Sequence, residues 1–304
     1  MKTIEVNNLT KVFGKFVAVN KINFSVEKSE IFGFLGPNGA GKTTTIRMLC
    51  GILQPTSGAG IVAGFDIIRE NEKIKAHIGY MSQRFSLYRD LTLEENIDFF
   101  SGIYRIPNQK KEKRKAWALE IAGLGDFKNR LTYELPAGFK QRLALVCALM
   151  HSPSIVFLDE PTAGVDPISR RQFWDLIYRL KNEEKTTIFI TTHYMDEAEH
   201  CEQIALIQDG IIAAIGSPAV LKKTIKTKVY LLQGNPFFAI KDALEKEEGI
   251  ANIVPFGLSL HLFLKDDRYV KILKSRLKQI GAEVLQFEPI VPSLEDVFIS
   301  VMKK

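Results

Sequence analysis

The sequence predicts a large α/β domain built on a parallel β-sheet, followed by a smaller α+β domain. In the larger part, short apolar runs alternate with segments of helical spacing, as expected when helices connect parallel strands. The apolar runs are Ile31–Leu35, Ser154–Leu158 and Thr186–Thr191. The segment Ser169–Lys181, between the last two runs, has helical spacing. After Gly216 the pattern becomes strand, helix, strand, strand, helix, strand, which is the order of a ferredoxin-like unit.

The remaining segments complete this organisation. Residues 3–35 read as β-strands around a turn at Gly14, which predicts an antiparallel β subdomain. Residues from about 88 to 150 have mostly helical spacing and predict a helical subdomain inserted into the α/β core. We therefore divide the chain into an α/β domain over 1–224 and an accessory α+β domain over 225–304.

The composition is that of an ordinary globular chain of 304 residues, with 46% apolar and 25% charged residues. Three cysteines, Cys50, Cys147 and Cys201, are widely spaced without a C-x-x-C pair, which argues against a disulfide framework or a zinc site and indicates a reducing, cytoplasmic setting. The N-terminus lacks the apolar core of a signal peptide, and no run approaches the roughly 18 uncharged residues of a membrane span. The protein is therefore predicted to be neither secreted nor integral.

The charge pattern favours no nucleic-acid partner. The net charge of +6 is modest for this length. The densest basic run, Lys110–Lys115, is interrupted by Glu112 and lies in a segment of helical spacing. Such runs usually solvate an exposed helix face.

A glycine-rich loop follows the run Ile31–Leu35. The segment Gly36–Thr43 fits the P-loop pattern G-x-x-x-x-G-K-[ST], and helical spacing follows it. Glycines allow backbone N–H groups to approach phosphate oxygens, while the lysine lies against the β- and γ-phosphates and the threonine ligates Mg²⁺. The predicted phosphate site consists of Gly36, Pro37, Asn38, Gly39, Ala40, Gly41, Lys42, Thr43 and Thr44.

Two carboxylates, Asp159 and Glu160, end the apolar run Ser154–Leu158. Ligands of open α/β sheets bind at the carboxyl ends of the strands, so this pair is predicted to face the phosphate loop. Asp159 would hold Mg²⁺ through water. Glu160 would polarise the attacking water, because a carboxylate within reach of that water can accept its proton.

Further segments occur between and after these motifs. Gly79–Gln83 resembles a Q-loop, and Leu135–Arg142 occupies the position of a signature loop. Ala163–Asp166 resembles a D-loop, and Thr191–His193 resembles a switch-histidine segment. With the phosphate loop and the acidic pair, this ordered set resembles the ATP-binding subunits of ABC transporters over residues 1 to about 220.

The resemblance implies a role for each marked residue. Phe13 matches the aromatic residue on which family members stack adenine, and His193 would hydrogen-bond the γ-phosphate. Gln83 would contact Mg²⁺ and the attacking water. Asp166 would act across a dimer interface, because family members complete each ATP site with the signature loop of a second subunit. The implied cofactors are ATP and Mg²⁺ in a homodimer that encloses two ATP molecules, and the implied catalytic residues are Lys42, Gln83, Glu160 and His193.

The signature segment departs from the family pattern Leu-Ser-Gly-Gly-Gln. Pro136 and Ala137 replace the serine and the first glycine, and Phe139 replaces the glutamine. Proline supplies neither a hydroxyl nor an N–H donor. Gly138 and the residues after it fit the family, so a helix start with N–H groups facing phosphate is still expected. We expect Pro136, Ala137 and Gly138 to contact the ATP of a second subunit.

Two stretches resemble a branch of the family that exports drugs and antibiotics. They are Met81–Phe100 and the ending Pro292–Phe298. Permeases of that branch are separate polypeptides, so the resemblance implies integral membrane permease subunits as partners and a cytoplasmic position on the inner face of the membrane. It also implies export of a hydrophobic or amphiphilic compound, a lipid or a polysaccharide.

Two other functions remain as alternatives. A soluble ABC-fold ATPase acting on ribosomes generally carries two ATPase halves, whereas this chain has one P-loop. DNA-repair relatives insert a long coiled coil before the acidic pair, where this chain has only about a hundred residues without sustained heptads. The other alternative is a regulatory nucleotide sensor with little turnover, which the altered signature supports. Steady ATP turnover stimulated by a membrane partner would distinguish a transporter from a sensor.

Overall fold

A computed structural model describes residues 1–83, 87–245 and 247–302, without the side chain of Met302. Residues 84–86, which belong to the exporter-like stretch Met81–Phe100, lie outside the described residues, as do the final two lysines. The chain divides into two compact units, Met1–Ile215 and Gly216–Lys304.

The strands of the first unit form two sheets. Numbered along the chain, they are β1 (Lys2–Phe13), β2 (Phe16–Glu27), β3 (Ile31–Leu35), β4 (Ser57–Val62), β5 (Phe65–Asp66), β6 (Ile78–Met81), β7 (Ile155–Asp159), β8 (Thr187–Thr192), β9 (Gln203–Gln208) and β10 (Ile211–Gly216). One sheet has the order β2-β1-β4-β5 with antiparallel neighbours. The other has the order β10-β9-β3-β8-β7-β6, in which the neighbours from β9 to β6 are parallel. The predicted antiparallel subdomain and parallel sheet are confirmed.

The core of the first unit lies between the two sheets. Phe24 of β2 has its ring centroid 5.5 Å from that of Phe32 in β3 and 5.9 Å from that of Phe189 in β8. Phe34 and Phe157 belong to the same buried cluster. β3, β7 and β8 are buried along their whole length, which explains the apolar sequence of β3 and the apolar residues Ile155–Leu158 and Ile188–Ile190 in the other two strands. The cluster therefore fixes the strands whose carboxyl ends carry the predicted site.

Helices surround these sheets. They are α1 (Lys42–Leu49), α2 (Asn71–His77), α3 (Leu93–Ile103), α4 (Asn108–Ile121), α5 (Ala137–Ala148), α6 (Pro167–Glu183) and α7 (Met195–Ala198). α3 begins with a capping box between Thr92 and Glu95 and packs against α4 and α5, forming the predicted helical subdomain. The basic run Lys110–Lys115 lies on α4, where Lys115 is 3.1 Å from Glu94 of α3.

The second unit is a sheet covered on both faces. Its elements are α8 (Pro218–Lys223), β11 (Lys228–Asn235), α9 (Phe237–Leu244), β12 (Ile250–Phe256), β13 (Ser259–Leu264), α10 (Tyr269–Gln279), β14 (Glu283–Ile290) and α11 (Leu294–Met302). The sheet order is β12-β13-β11-β14 with antiparallel neighbours, which confirms the ferredoxin-like unit. Side chains of α9 and α10 pack on one face of the sheet, and Ile299 of α11 packs on the other.

The structure divides the chain before the position expected from the sequence. α8, which the sequence analysis assigned to the first domain, packs against α11 of the second unit, and its Leu221 is buried. Ser217 caps this helix by accepting a hydrogen bond from the N–H of Val220 at 3.3 Å. The division falls between Ile215 and Gly216, one residue before this cap.

Shortening the chain tests the independence of the first unit. We predict that a protein ending at Ile215 retains ATP binding, because the phosphate loop, the acidic pair and their core all lie before that residue. A protein ending near Lys226 should also bind ATP but be less soluble, because α8 loses its contact with α11. Titration with a fluorescent ATP analogue measures ATP binding by both shortened proteins, with Lys42→Ala as the non-binding control. Loss of binding in both proteins would show that the second unit is part of the nucleotide-binding fold.

Candidate active site

The phosphate loop connects β3 to α1 and passes close to other backbone segments. A Cβ atom on Gly36 would lie 2.2 Å from the carbonyl oxygen of Ile207, and one on Gly41 would lie 2.5 Å from that of Ala18. Gly41 also has φ +102°, a conformation that side-chain-bearing residues rarely adopt. The loop therefore requires glycine at these positions for steric reasons as well as for phosphate access.

Lys42 is the buried cation of this loop, with 4% of its surface exposed. Its ammonium donates hydrogen bonds to the carbonyl oxygens of Gly36 at 2.7 Å and Pro37 at 3.0 Å. The same nitrogen is 2.9 Å from Oε1 of Glu160. A buried ammonium is stable only when paired and hydrogen-bonded, so these contacts hold Lys42 at the centre of the loop.

Asp159, at the end of β7, faces the first turn of α1. Its Oδ1 accepts hydrogen bonds from the hydroxyls of Thr191 at 2.7 Å and Thr43 at 3.1 Å. Burial raises the pKa of Asp159, although these two hydrogen bonds lower it. Oδ2 is buried and has no hydrogen-bond partner among the described residues.

This arrangement fits a Mg²⁺ ion. Asp159 contacts the hydroxyl of Thr43 through Oδ1 and keeps Oδ2 unsatisfied, and the carboxylate and the hydroxyl are oxygen donors of the type that Mg²⁺ prefers. In the described part of the chain, no three His, Cys, Asp or Glu side chains are grouped to hold a metal by themselves. An ion at this place would depend on phosphate oxygens and water for its remaining ligands, as Mg²⁺ commonly does.

Glu160 is the point at which three predicted site residues meet. In addition to its contact with Lys42, Glu160 has two contacts through Oε2. The Nδ1 atom of His193 lies 3.1 Å from this oxygen, and the Nε2 atom of Gln83 donates a hydrogen bond to it at 3.3 Å. The Glu160 backbone has φ +48°, a strained value for a residue with a side chain. Its N–H donates to the carbonyl oxygen of Thr191 at 3.1 Å, which helps to hold this conformation.

The phosphate loop and Glu160 line a cleft of about 410 Å³. Phe13 and Phe16 also line this cleft; they face each other across the β1–β2 hairpin and are 48% and 64% exposed. The ammonium of Lys11 lies 5.0 Å from the centroid of the Phe13 ring. The sequence analysis did not identify Phe16. Its position opposite Phe13 in a predicted hairpin was the signal that could have found it.

Nine predicted site residues do not line this cleft. Five of them belong to the phosphate loop or contact residues that line the cleft: Gly36, Pro37, Ala40, Asp159 and His193. The other four lie on separate segments: Pro136, Ala137, Gly138 and Asp166. Pro136 immediately precedes α5, and a Cβ atom on Gly138 would lie 2.3 Å from Cβ of Ser169 in α6. Asp166 caps α6 by accepting a hydrogen bond from the N–H of Ser169 at 2.9 Å. Their separation from the cleft is compatible with the implied role across a dimer interface.

These features define a P-loop nucleotide-binding fold: a strand, a glycine loop and a helix whose buried lysine meets an acidic pair at the end of a strand in the same sheet. A sequence profile described as "ABC transporter" matches residues 19–163. A profile described as "ATP-binding protein DrrA1-3-like, C-terminal domain" matches residues 216–302.

Individual proteins resemble the chain over different lengths. It is 33% identical to the "Linearmycin resistance ATP-binding protein LnrL" of Bacillus subtilis, covering 98% of this chain and 97% of that protein. It is 51% identical to the "Probable multidrug ABC transporter ATP-binding protein YbhF" of Escherichia coli over 72% of this chain, but spans only 38% of that protein. The chain belongs to the ABC transporter family of ATP-binding proteins.

A solved structure agrees with this assignment. The ATP-binding cassette MJ0796, described as a dimer in a post-hydrolysis state bound to ADP and phosphate, superposes with a TM-score of 0.63 and 26% sequence identity. The superposition covers 70% of this chain and 98% of that one. In the described residues, no helix combines the length and apolar character needed to cross a membrane.

Proposed function

We propose that this protein binds and hydrolyses ATP with Mg²⁺ and thereby drives export through a separate integral membrane permease. The observation that carries the proposal is the convergence of Lys42, Gln83 and His193 on the carboxylate of Glu160. A carboxylate placed among groups that contact phosphate and water is suited to accept the proton of an attacking water.

Each neighbouring residue has a role in this reaction. The N–H groups of the phosphate loop and Lys42 hold the phosphates, while Phe13 and Phe16 in the lining of the cleft provide apolar surface for the base. Thr43, Asp159 and Gln83 would hold Mg²⁺, which neutralises charge on the β- and γ-phosphates. His193 donates to the γ-phosphate, and Glu160 takes up the proton of water.

A homodimer supplies the parts that lie outside this cleft. Among the described residues, the N–H groups of Ala137 and Gly138 make no hydrogen bond, so they are free donors at the start of α5. Free N–H groups at a helix start are suited to bind phosphate. We propose that they, with Asp166, complete the site of a second subunit, and that two enclosed ATP molecules hold the dimer together.

The proposed cargo and location follow the named relatives. YbhF is described as a multidrug transporter protein and LnrL as a linearmycin resistance protein, which favours export of a hydrophobic or amphiphilic compound. The protein would act on the cytoplasmic face of the membrane and without nucleic acid. We propose that the second unit stabilises the dimer or its contact with the permease.

A nucleotide sensor with little turnover is the second candidate, because Pro136 replaces the signature serine. Purification of the tagged protein from its native membranes in mild detergent, followed by identification of the accompanying integral protein, tests the main proposal. We expect a permease that stimulates phosphate release when reconstituted. Absence of turnover with that partner present would favour the sensor, and co-purification of ribosomes or DNA would contradict transport.

A further inference from the structure

Another buried carboxylate lies near the site residues in the chain but does not line the cleft. Glu197 of α7 is 1% exposed, and the proposed reaction assigns it no role. Burying a carboxylate is strongly unfavourable unless its oxygens are hydrogen-bonded. Its partners therefore indicate why the fold retains it.

The two oxygens of Glu197 bind two different segments of the site. Oε1 accepts a hydrogen bond from the hydroxyl of Thr162, which lies just after Glu160 in the chain. Oε2 accepts one from the hydroxyl of Thr192 at 2.6 Å, and Thr192 immediately precedes His193. Both threonines are 1% exposed, so water does not compete for these bonds. One carboxylate thus links the segment of Glu160 to that of His193.

Thr192 also contacts the phosphate loop. Its carbonyl oxygen accepts a hydrogen bond from the N–H of Gly36 at 3.3 Å, and its hydroxyl accepts one from the N–H of Tyr194 at 3.0 Å. The ring of Tyr194 lies 4.1 Å from that of His193, measured between centroids. A shift of Thr192 would therefore move both the start of the loop and the switch histidine.

A cation connects the same carboxylate to α6. The Nε atom of Arg170 is 3.6 Å from Oε1 of Glu197, and its guanidinium lies 4.4 Å from the centroid of the Tyr194 ring. The backbone N–H of Arg170 donates to the carbonyl oxygen of Asp166 at 2.9 Å. Glu197 is thereby linked through Arg170 to the D-loop segment.

We propose that Glu197 is a positioning residue. It holds Glu160 and His193 in the relative positions that hydrolysis requires and links them to the segment of Asp166. This inference rests on the proposed ATPase function. Glu197 does not line the cleft, so it acts through the two threonine hydroxyls. A misplacement of reacting groups by a fraction of an ångström slows the chemical step more than it weakens binding.

This role is tested with the whole 304-residue chain and its membrane partner. The measurements are steady-state phosphate release and nucleotide affinity. Glu197→Gln keeps the shape of the side chain and removes its charge. We expect kcat to fall at least about tenfold while the affinity for ATP stays close to that of the wild type. Thr162→Val and Thr192→Val, which remove one hydroxyl each, should also lower kcat. Thr162→Ser and Thr192→Ser, which keep the hydroxyl, should restore it.

Asp196→Asn is the matched control, because Asp196 lies on the same helix and contacts Arg170, but it is exposed and touches neither threonine. It should leave kcat and KM unchanged. Normal turnover in Glu197→Gln overturns the inference, and so does equal loss of kcat and ATP affinity in the valine variants. If Glu197→Gln does not fold, the valine and serine pairs decide. A wild-type protein without turnover would instead refute the proposed function.

Discussion

Replacement of Glu160 by glutamine is expected to retain ATP binding and to lower the rate of phosphate release by on the order of 10² or more. The amide fits the space of the carboxylate but cannot accept a proton. Lys42 keeps its two carbonyl partners in this variant, so the phosphate loop is expected to remain formed. Because bound ATP is not consumed, the protein should accumulate as an ATP-bound dimer, which size-exclusion chromatography with ATP detects.

Glu183→Gln provides a control for the loss of one carboxylate. Glu183 is an exposed residue at the end of α6 that pairs with Arg179, and its replacement should leave turnover unchanged. Near-normal phosphate release by Glu160→Gln would exclude Glu160 as the proton acceptor. A Glu160→Gln protein that no longer binds ATP would assign this residue to the structure of the site instead.

Substitution of Gly138 is expected to abolish ATP-driven dimer closure, in which two subunits come together around two ATP molecules. The structure indicates two causes, charge and packing. Gly138→Asp would place a negative charge near the γ-phosphate of the ATP in a second subunit. In the structure, any Cβ atom here meets Cβ of Ser169 at 2.3 Å, so Gly138→Ala should also disturb the packing of α5 on α6. Size-exclusion chromatography with ATP in a Glu160→Gln background measures closure.

A second-site change distinguishes charge from packing. Ser169→Gly removes the two side-chain atoms that the new Cβ meets, at a helix cost of about 1 kcal/mol. When Ser169→Gly is also present, the Gly138→Ala protein should again form the closed dimer with ATP, and the Gly138→Asp protein should not. Closure by Gly138→Asp alone would show that α5 of one subunit does not approach the nucleotide of the other.

Pro136→Ser belongs to the same series and should leave turnover equal or faster. Pro136 precedes the first residue of α5 and makes no side-chain hydrogen bond to it. A serine there restores the hydroxyl of the family pattern and can cap the helix, which contributes about 1 kcal/mol. Thermal unfolding and phosphate release with the membrane partner measure the two effects. Slower turnover would indicate that the proline itself is needed for closure.

The sequence by itself determined the features that depend on local backbone chemistry. The phosphate loop is recognisable because glycine is required where the backbone turns and approaches other strands, as at Gly41. The acidic pair is recognisable because two carboxylates directly follow the apolar run Ser154–Leu158. The ferredoxin-like order follows from the alternation of strand and helix spacing. Each element in these signals can be recognised from a few neighbouring residues.

Only the tertiary structure decided which distant residues meet. Gln83 and His193 reach Glu160 from the segments that follow two different strands, β6 and β8, and their contacts depend on the order of strands in the sheet. The resemblance to a family suggested their roles, but no local pattern placed them together.

The same reason explains what the sequence analysis missed. The packing of Gly138 on Ser169 and the linkage of two threonines by Glu197 join segments from different parts of the chain. A buried glutamate on a short helix has no local signature, because its burial is set by the strands and helices that fold over it. Local steric and periodic requirements can be read from neighbouring residues, whereas contacts across the fold exist only once the sheet and its core are assembled.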